Sequence, residues 1–433
     1  MLSILKGSIR LSIIILAIFV VAKNITAETD TKSEIDEFIN VVRLSNRVLV
    51  IRTGVFYFDA VTAVATEKGI VVFDAGLAPS LTKKYREIIE KEFKRKDFAY
   101  LINTHGHWDH TNGNKVFKEA AIIGHENGDK EILDDFSDKA QFIKWFNGFR
   151  DNALSSLETV DAVSEYGKQL RCRAEIYSQV VNDFDTDFSY VLPTMTFNDR
   201  LYLDMGDVTL QLMYFGKAHS DNDIVIYIPE EKLLMSGDLF NIGGSVNFSQ
   251  LNAGNVTKKD VEQWHKTMIT LLSDEYKIDL IIDGHAAMMT KDDLVAFNNN
   301  VEYLWNEFRE GRELSARIGL EKEFRSSGLQ AMIDKYNDMK TKDKDKYFYF
   351  ERSLVDFGYH LLKENETEGA IEVFKVVVEQ FHGSWNAYDS LGEAYLENGN
   401  NELAIENYKK SLVLNPDNEA AKDVLKRLDK TGN

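Results

Sequence analysis

Cysteine is almost absent from this chain: Cys172 is the only one in 433 residues. A lone thiol makes no internal disulfide and finds no second thiolate for a metal site, so a cross-linked scaffold and a Cys-based zinc cluster are both excluded. Cys172 reads as a buried helix residue without a chemical role. Long apolar runs are missing too. The longest, Leu11 to Ala22, is shorter than the 18 or so residues of a spanning helix. Positive charge is in deficit, with 51 Lys and Arg against 70 Asp and Glu, a net charge of −19 and a pI near 5.0. An acidic surface without a basic accessory domain argues against nucleic acid and against anionic membrane as partners. Disorder is excluded by composition, at 44% hydrophobic and 11% aromatic residues.

Lys6 and Arg10 precede the run Leu11 to Ala22, and Ile25-Thr26-Ala27 follows it. That is the layout of a secretory signal peptide at residues 1–27, with an uncleaved anchor as the alternative. No cysteine stands near the cleavage point, which argues against a lipoprotein. Export to a bacterial periplasm or the medium is the expectation, and a protein with one thiol suits that setting.

After a polar tether at 28–40, short apolar runs predict strands at Val48–Arg52, Ala60–Thr66, Ile70–Asp74 and Phe98–Asn103. Leu81 to Phe93 has helical spacing, and Asn114 to Ala121 has helical composition. Residues 126–190 read as mostly helical, with Phe142, Trp145, Phe146 and Phe149 as a stripe at helical spacing. Core packing is its first reading and a substrate-facing lid the second. Strands resume at Leu201–Asp204, Val208–Leu212, Ile224–Ile228, Leu233–Ser236 and Ile278–Ile282, with a helix from Lys258 to Leu272. The alternation predicts an α/β domain of two sheets covered by helices over 28–310. A helical linker at 311–350 follows, with Met339–Lys346 as its solvated part.

The chemistry is concentrated in Thr104-His105-Gly106-His107-Trp108-Asp109-His110, directly after a predicted strand. The chain has 9 histidines, and 3 of them fall in this window. His105 and His107 can grip one metal ion, and Asp109 and His110 can lean toward a second. Imidazole and carboxylate together suit zinc, with iron or manganese compatible. Three later residues complete a two-metal set, each at a strand end: His219 in Ala218-His219-Ser220-Asp221-Asn222-Asp223, Asp238 in Ser236-Gly237-Asp238, and His285 in Asp283-Gly284-His285.

These motifs in this order, with Asp74 ahead of them, resemble the metallo-β-lactamase superfamily over residues 40–310. The resemblance implies an αββα sandwich with metals at one edge of the sheets. It implies that His105, His107 and His219 hold one metal, that Asp109, His110 and His285 hold a second, and that Asp238 bridges them. It further implies a dinuclear zinc hydrolase cleaving an ester, thioester, lactone or amide-type small molecule. Zinc lowers the pKa of bound water to around 7, so no Ser-His or Cys-His nucleophile is needed. Asp109 is the residue placed to orient that nucleophile or take up a proton. Asp238 resembles the glyoxalase II-like and general hydrolase branches rather than the familiar β-lactamases, which carry Cys or Ser there. β-Lactamase activity stays open as a side or main reaction, and an iron oxidoreductase like the persulfide dioxygenases is the alternative of another class. Gly284-His285-Ala286-Ala287 departs from the family's frequent Gly-His-Gly-Pro. Asp74 is expected to bond backbone near the metal loop, and His125 to be structural.

Leu391, Gly392, Tyr395, Ala404, Tyr408 and Pro416 align with Phe357, Gly358, Leu361, Ala370, Phe374 and His382 at the spacing of tetratricopeptide repeats. An all-α repeat module is therefore expected over 351–430. Two repeats are fewer than the three or so that stand alone, so it is expected to pack on the catalytic domain, on a second copy, or on a protein partner.

Overall fold

The computed structural model describes residues 34–54, 59–135, 139–158, 160–187, 189–241, 245–246 and 256–431. The leader at 1–27, the start of the tether and most of the loop at 241–256 lie outside the described residues. Strands β1 (Ile39–Arg43), β2 (Val48–Thr53), β3 (Asp59–Thr66) and β4 (Gly69–Phe73) form an antiparallel meander. Helix α1 (Pro79–Phe93), entered by a proline at its first position, leads to β5 (Phe98–Ile102), parallel to β4. The one-turn helix α2 (Trp108–Thr111) precedes β6 (Ala121–His125), parallel to β5. Helices α3 (Gly128–Asp135), α4 (Lys139–Leu157) and α5 (Glu165–Asp187) follow, and β7 (Met195–Phe197) then closes a seven-stranded sheet ordered as the chain runs.

The second sheet starts with β8 (Arg200–Asp204), β9 (Thr209–Tyr214), β10 (Ile224–Ile228) and β11 (Leu233–Gly237), all antiparallel to their neighbours in sequence. A small hairpin of β12 (Phe240–Asn241) and β13 (Ser245–Val246) leads toward α6 (Lys258–Leu271). Strand β14 (Leu280–Asp283) then lies parallel to β11, β15 (Met288–Met289) completes six strands, and α7 (Lys291–Arg309) follows. Capping boxes begin α6 at Thr257 with Asp260 and α7 at Thr290 with Asp293.

Strand periodicity decides the layering. Along β2, Val48 and Val50 face the second sheet, meeting Leu210, Leu212, Ile226 and Met235, while Leu49 and Ile51 face α1 and α5. On the far side, Val225, Tyr227 and Leu234 pack under Trp264 and Met268 of α6 and Phe297 and Leu304 of α7. The result is helices, sheet, sheet, helices: the αββα order. Each such aliphatic side chain, wholly removed from water, contributes roughly 1.5–3 kcal/mol.

Past α7 the chain forms β16 (Leu314–Ser315), α8 (Ala316–Ser327), α9 (Leu329–Thr341) and β17 (Tyr347–Phe348), with β16 and β17 paired in parallel. Two helical pairs and a final helix follow among the described residues: α10 (Glu351–Lys363) with α11 (Thr367–Gln380), α12 (Trp385–Glu397) with α13 (Asn401–Leu414), and α14 (Glu419–Thr431). The aligned repeat residues Phe357, Leu361, Ala370, Phe374 and Leu391 are buried together. So are Ala404 and Tyr408.

Three expectations are corrected. The stretch 311–350 is helical, but it is not solvated at Met339: Ala316, Leu320, Met332 and Met339 enter the same core as the repeats, and Met339 is fully buried. Its run of Lys and Asp marks only the outer side of a packed hairpin. Asn114 to Ala121 is a single 3-10 turn at Asn114–Phe117, and Ala121 already begins β6. The aromatic stripe is split: Phe142 and Phe146 are buried, whereas Trp145 and Phe149 are half exposed. Among the described residues, no helix is long and apolar enough to cross a membrane.

Candidate metal centre

All seven residues named from the sequence as a metal set converge at one edge of the sandwich. His105 and His107 follow β5, and α2 carries Asp109 and His110. His219 lies in the β9–β10 loop, Asp238 directly after β11, and His285 directly after β14. Parallel pairing of β4 with β5 and of β11 with β14 brings these strand ends side by side. Donor atoms of His105, His107 and His219 form one group within 4.8 Å of one another, and those of Asp109, His110 and His285 form another. Asp238 lies between them, its carboxylate 3.6 Å from His110 Nε2, 3.7 Å from His219 Nε2 and 3.2 Å from His285 Nε2.

The donors' outer contacts assign which ring nitrogens hold protons. Asp74 Oδ1 accepts from the Thr104 backbone N–H at 2.7 Å, and Asp74 Oδ2 accepts from the Thr104 hydroxyl at 2.8 Å. That hydroxyl donates its one hydrogen to Asp74, so toward His105 Nδ1, 3.2 Å away, it acts as the acceptor. His105 Nε2 is then a bare lone pair. Asp74 Oδ2 also accepts from His110 Nδ1 at 2.9 Å, which turns His110 Nε2 inward, buried and without a hydrogen-bond partner among the described residues. His107 Nε2 faces Glu131 Oε1 at 3.4 Å, so its Nδ1 is the inward atom. That Nδ1 stands 2.9 Å from His105 Nε2 and 3.0 Å from His219 Nε2. Lone pairs crowded at such distances repel unless a proton or a cation sits among them. Ligands around tetrahedral zinc lie about 3.3 Å apart, so the residues fit a metal.

Charge does not divide wholly by group: burial opposes protonation of His107, but the Glu131 carboxylate lifts its pKa above the usual histidine range. Burial, reinforced by the neighbouring imidazoles, holds His105 well below the usual histidine range, and burial carries His219 down to about 4. Burial opposes protonation of His110 as well, but Asp109, Asp74 and Asp238 overcome it and lift its pKa well above the usual value. His285 reaches about 9, burial being outweighed by Asp238. Asp238, despite complete burial, is held well below the usual carboxylate range by His110 and His285. In the metal-free chain, His107, His110 and His285 therefore favour the protonated form beside the carboxylates, while His105 and His219 favour the neutral form.

Asp74 does more than bond backbone. It has a left-handed φ of 59°, a conformation that Asp tolerates better than most residues, and it orients ligands of both sets at once. Ala286, beside His285, shares that φ of 59°. His125 lies on β6, stacked on Tyr214 at 3.8 Å with Nε2 near the Asn198 carbonyl, outside the donor groups. Cys172 is buried on α5, its thiol pushed up to about 12 by burial. Sequence reasoning passed over four supporting residues. Thr104 relays Asp74 to His105, and Glu131 meets His107. Asp223 accepts from the Ser220 backbone and hydroxyl, shaping the His219 loop. Asp283 accepts from the backbone N–H groups of His285 and Ala287. Asp223 and Asp283 lie inside the motifs that flagged their neighbours; Glu131 carries no local signal.

Fold and site together define an αββα protein with a histidine- and aspartate-rich edge able to hold two metal ions. Residues 57–285, more than half of the chain, match the family model of the metallo-beta-lactamase superfamily, and the chain belongs to that superfamily. Residues 385–418 match the tetratricopeptide repeat. A metallo-beta-lactamase type 2 of Bacillus cereus is 24% identical over 220 residues, 51% of this chain and 64% of that protein. The chain thus spans just under two thirds of that relative's length. The 2,4-dinitroanisole O-demethylase subunit alpha of a Nocardioides strain is 22% identical over 346 residues, 79% of this chain and 80% of that one. Among solved structures, a metallo-beta-lactamase from Pontibacter korlensis aligns over 61% of this chain and 99% of its own, with 16% identity and a TM-score of 0.40.

Proposed function

We propose that the chain is an exported, metal-dependent hydrolase of small-molecule ester, thioester, lactone or amide-type substrates, with zinc as the metal its donor set suits best. The observation that carries this is the convergence of two three-residue donor groups with Asp238 between them. When bound, zinc supplies Lewis-acid polarisation and a water whose pKa is lowered to around 7. His105, His107 and His219 would hold one ion, Asp109, His110 and His285 the other, with Asp238 shared.

The protein's own part is to hold that set rigid and to manage the proton. Asp74 and Thr104 fix the rotation of His105 and His110, so no reorganisation is required when charge develops. Asp109 lies at the outer side, with Oδ2 3.6 Å from His110 Nε2 and 3.7 Å from His285 Nε2. Its carboxylate is the group placed to orient a water and receive its proton. His285 and His107, at 34% and 29%, are the most exposed of the histidine donors and mark the open side of the set. A ligand set of imidazole and carboxylate alone, with Asp238 as the shared member, supports a general hydrolase over a dedicated β-lactamase. The apolar run Leu11 to Ala22 supports export, and the repeats support a protein partner or self-association.

Elemental mass spectrometry of protein purified without added metal tests the reading, followed by an ester, thioester, lactone and β-lactam screen. Two zinc ions per chain, with turnover abolished by chelator and restored by zinc, is the expected result. One iron per chain would transfer support to the oxidoreductase, and no metal uptake on titration would overturn both.

A further inference from the structure

Helix α3 is wedged between the two loops that carry the first donor group. At its start, Gly128 approaches Gly106 so closely that a Cβ on Gly106 would lie 2.9 Å from the Gly128 carbonyl and 3.2 Å from Glu131 Oε2. On the other side, Asn127 Nδ2 donates to the Asp221 carbonyl at 3.0 Å, and the buried Asn222 donates from Nδ2 to Glu131 Oε2. The remaining oxygen, Glu131 Oε1, faces His107 Nε2. One carboxylate thus touches the loop of His105 and His107 with one oxygen and the loop of His219 with the other. His105 and His110 are turned by Asp74, directly or through Thr104, whereas the outer partner of His107 is Glu131.

We propose that Glu131 is a positioning residue for the first metal position, holding the outer N–H of His107 so that Nδ1 points at His105 and His219, and locking the two loops at the spacing one ion requires. This rests on the metal-dependent reading above. A carboxylate behind a ligating imidazole fixes its tautomer and orientation, and loss of such a partner typically costs about 10–100-fold in metal affinity. An acid in the first turn of a helix is ordinarily explained by the helix dipole alone. Here the two oxygens are aimed sideways into the ligand loops, and the dipole explains neither contact.

The test is chelator competition with Zn2+ and Co2+, read on the full chain and on a His285→Ala chain in which the second donor group is broken. Glu131→Ala should weaken the first constant by about 10–100-fold and leave the second within about threefold. Glu131→Gln keeps an oxygen able to accept from His107, so it should recover most of the affinity. Glu131→Asp, which withdraws the carboxylate by one methylene, should fall between and serves if the alanine variant does not fold. Wild-type constants in Glu131→Ala, or equal weakening of both positions without rescue by Gln, would overturn the proposal while leaving the hydrolase reading standing. A wild-type chain that takes up no metal would overturn both.

Discussion

Replacing Gly284 with alanine puts one methyl group into the middle of the site. A Cβ there would lie 2.3 Å from Asp238 Oδ1 and 2.6 Å from His110 Cε1. Ordinary contact needs about 3.5 Å, so the overlap is roughly 1 Å on two sides. Gly284 is not in the left-handed region, so backbone strain plays no part and the whole effect is steric. His110 cannot yield easily, being fully buried and held by Asp74 at 2.9 Å. Asp238 must therefore move, and it faces both donor groups. Overpacking of this kind costs about 1–3 kcal/mol in stability. A displacement near 1 Å at a reacting centre costs on the order of 100-fold in rate. Gly284→Ala should thus fold with a lowered melting temperature, lose at least one equivalent of metal after dialysis, and lose about 100-fold in turnover of whichever substrate the screen finds. Calorimetry and elemental analysis read the first two without knowledge of the substrate. If the variant kept two metals and the wild-type melting point, the placement of Asp238 between the two groups would be refuted.

Two further outcomes follow from buried titratable groups. Asp59 accepts from Tyr85 Oη at 2.9 Å and from the Leu77 N–H at 2.9 Å, and burial lifts its pKa to about 6. Against an unfolded value near 3.9, the raised folded value means that stability from this group is complete below about pH 4 and is lost as pH rises through 6, by up to about 3 kcal/mol. Urea unfolding of the metal-free protein between pH 4.5 and 7 should therefore show Asp59→Asn gaining on the wild type as pH increases; parallel profiles would contradict the assignment. Cys172, buried and with its thiol pushed up to about 12, should resist thiol reagents at pH 8 until the protein is unfolded. Stoichiometric labelling of the native chain within minutes would show the α5 packing to be wrong.

The candidate donor set was legible because each of its residues stands in a short, unusual string at the end of an apolar strand. Histidines are rare here, so three in one window carry information. The sandwich was legible for a similar reason: strands buried on both faces are uninterrupted apolar runs, and their partners follow from alternation. Glu131 was not legible. It is one of 70 acids, on a helix whose composition resembles any solvated helix, and its importance comes from two loops meeting it in space. Asp59 and Thr104 were hidden in the same way, since a satisfied buried polar group leaves no periodic trace. The charged stretch Met339–Lys346 misled for the opposite reason. Its Lys residues and Asp345 are exposed, yet Met339 beside them joins Met332 and Tyr336 in anchoring α9 in the core. Trp145 and Phe149 lie at helical spacing from buried Phe142 and Phe146, but a helix two aromatics wide has only one inner face.

The stretch from Tyr347 to Phe350 belongs to two structures at once. Phe348 and Phe350 sink into the core beneath the second sheet, where Phe348 meets Phe308 at 5.5 Å. Tyr347 and Tyr349 turn the other way, onto the α8–α9 hairpin, Tyr347 beside Lys335 and Tyr349 beside Tyr336. A zipper stitched alternately into two fabrics cannot open from one without pulling on the other. With β16 and β17 paired at its base, the α8–α9 hairpin is a loop whose two ends are sewn to the same seam. The hairpin shares its core with the repeats, so they are mounted as a bracket rather than hung on a string and are kept at a set place relative to the sandwich.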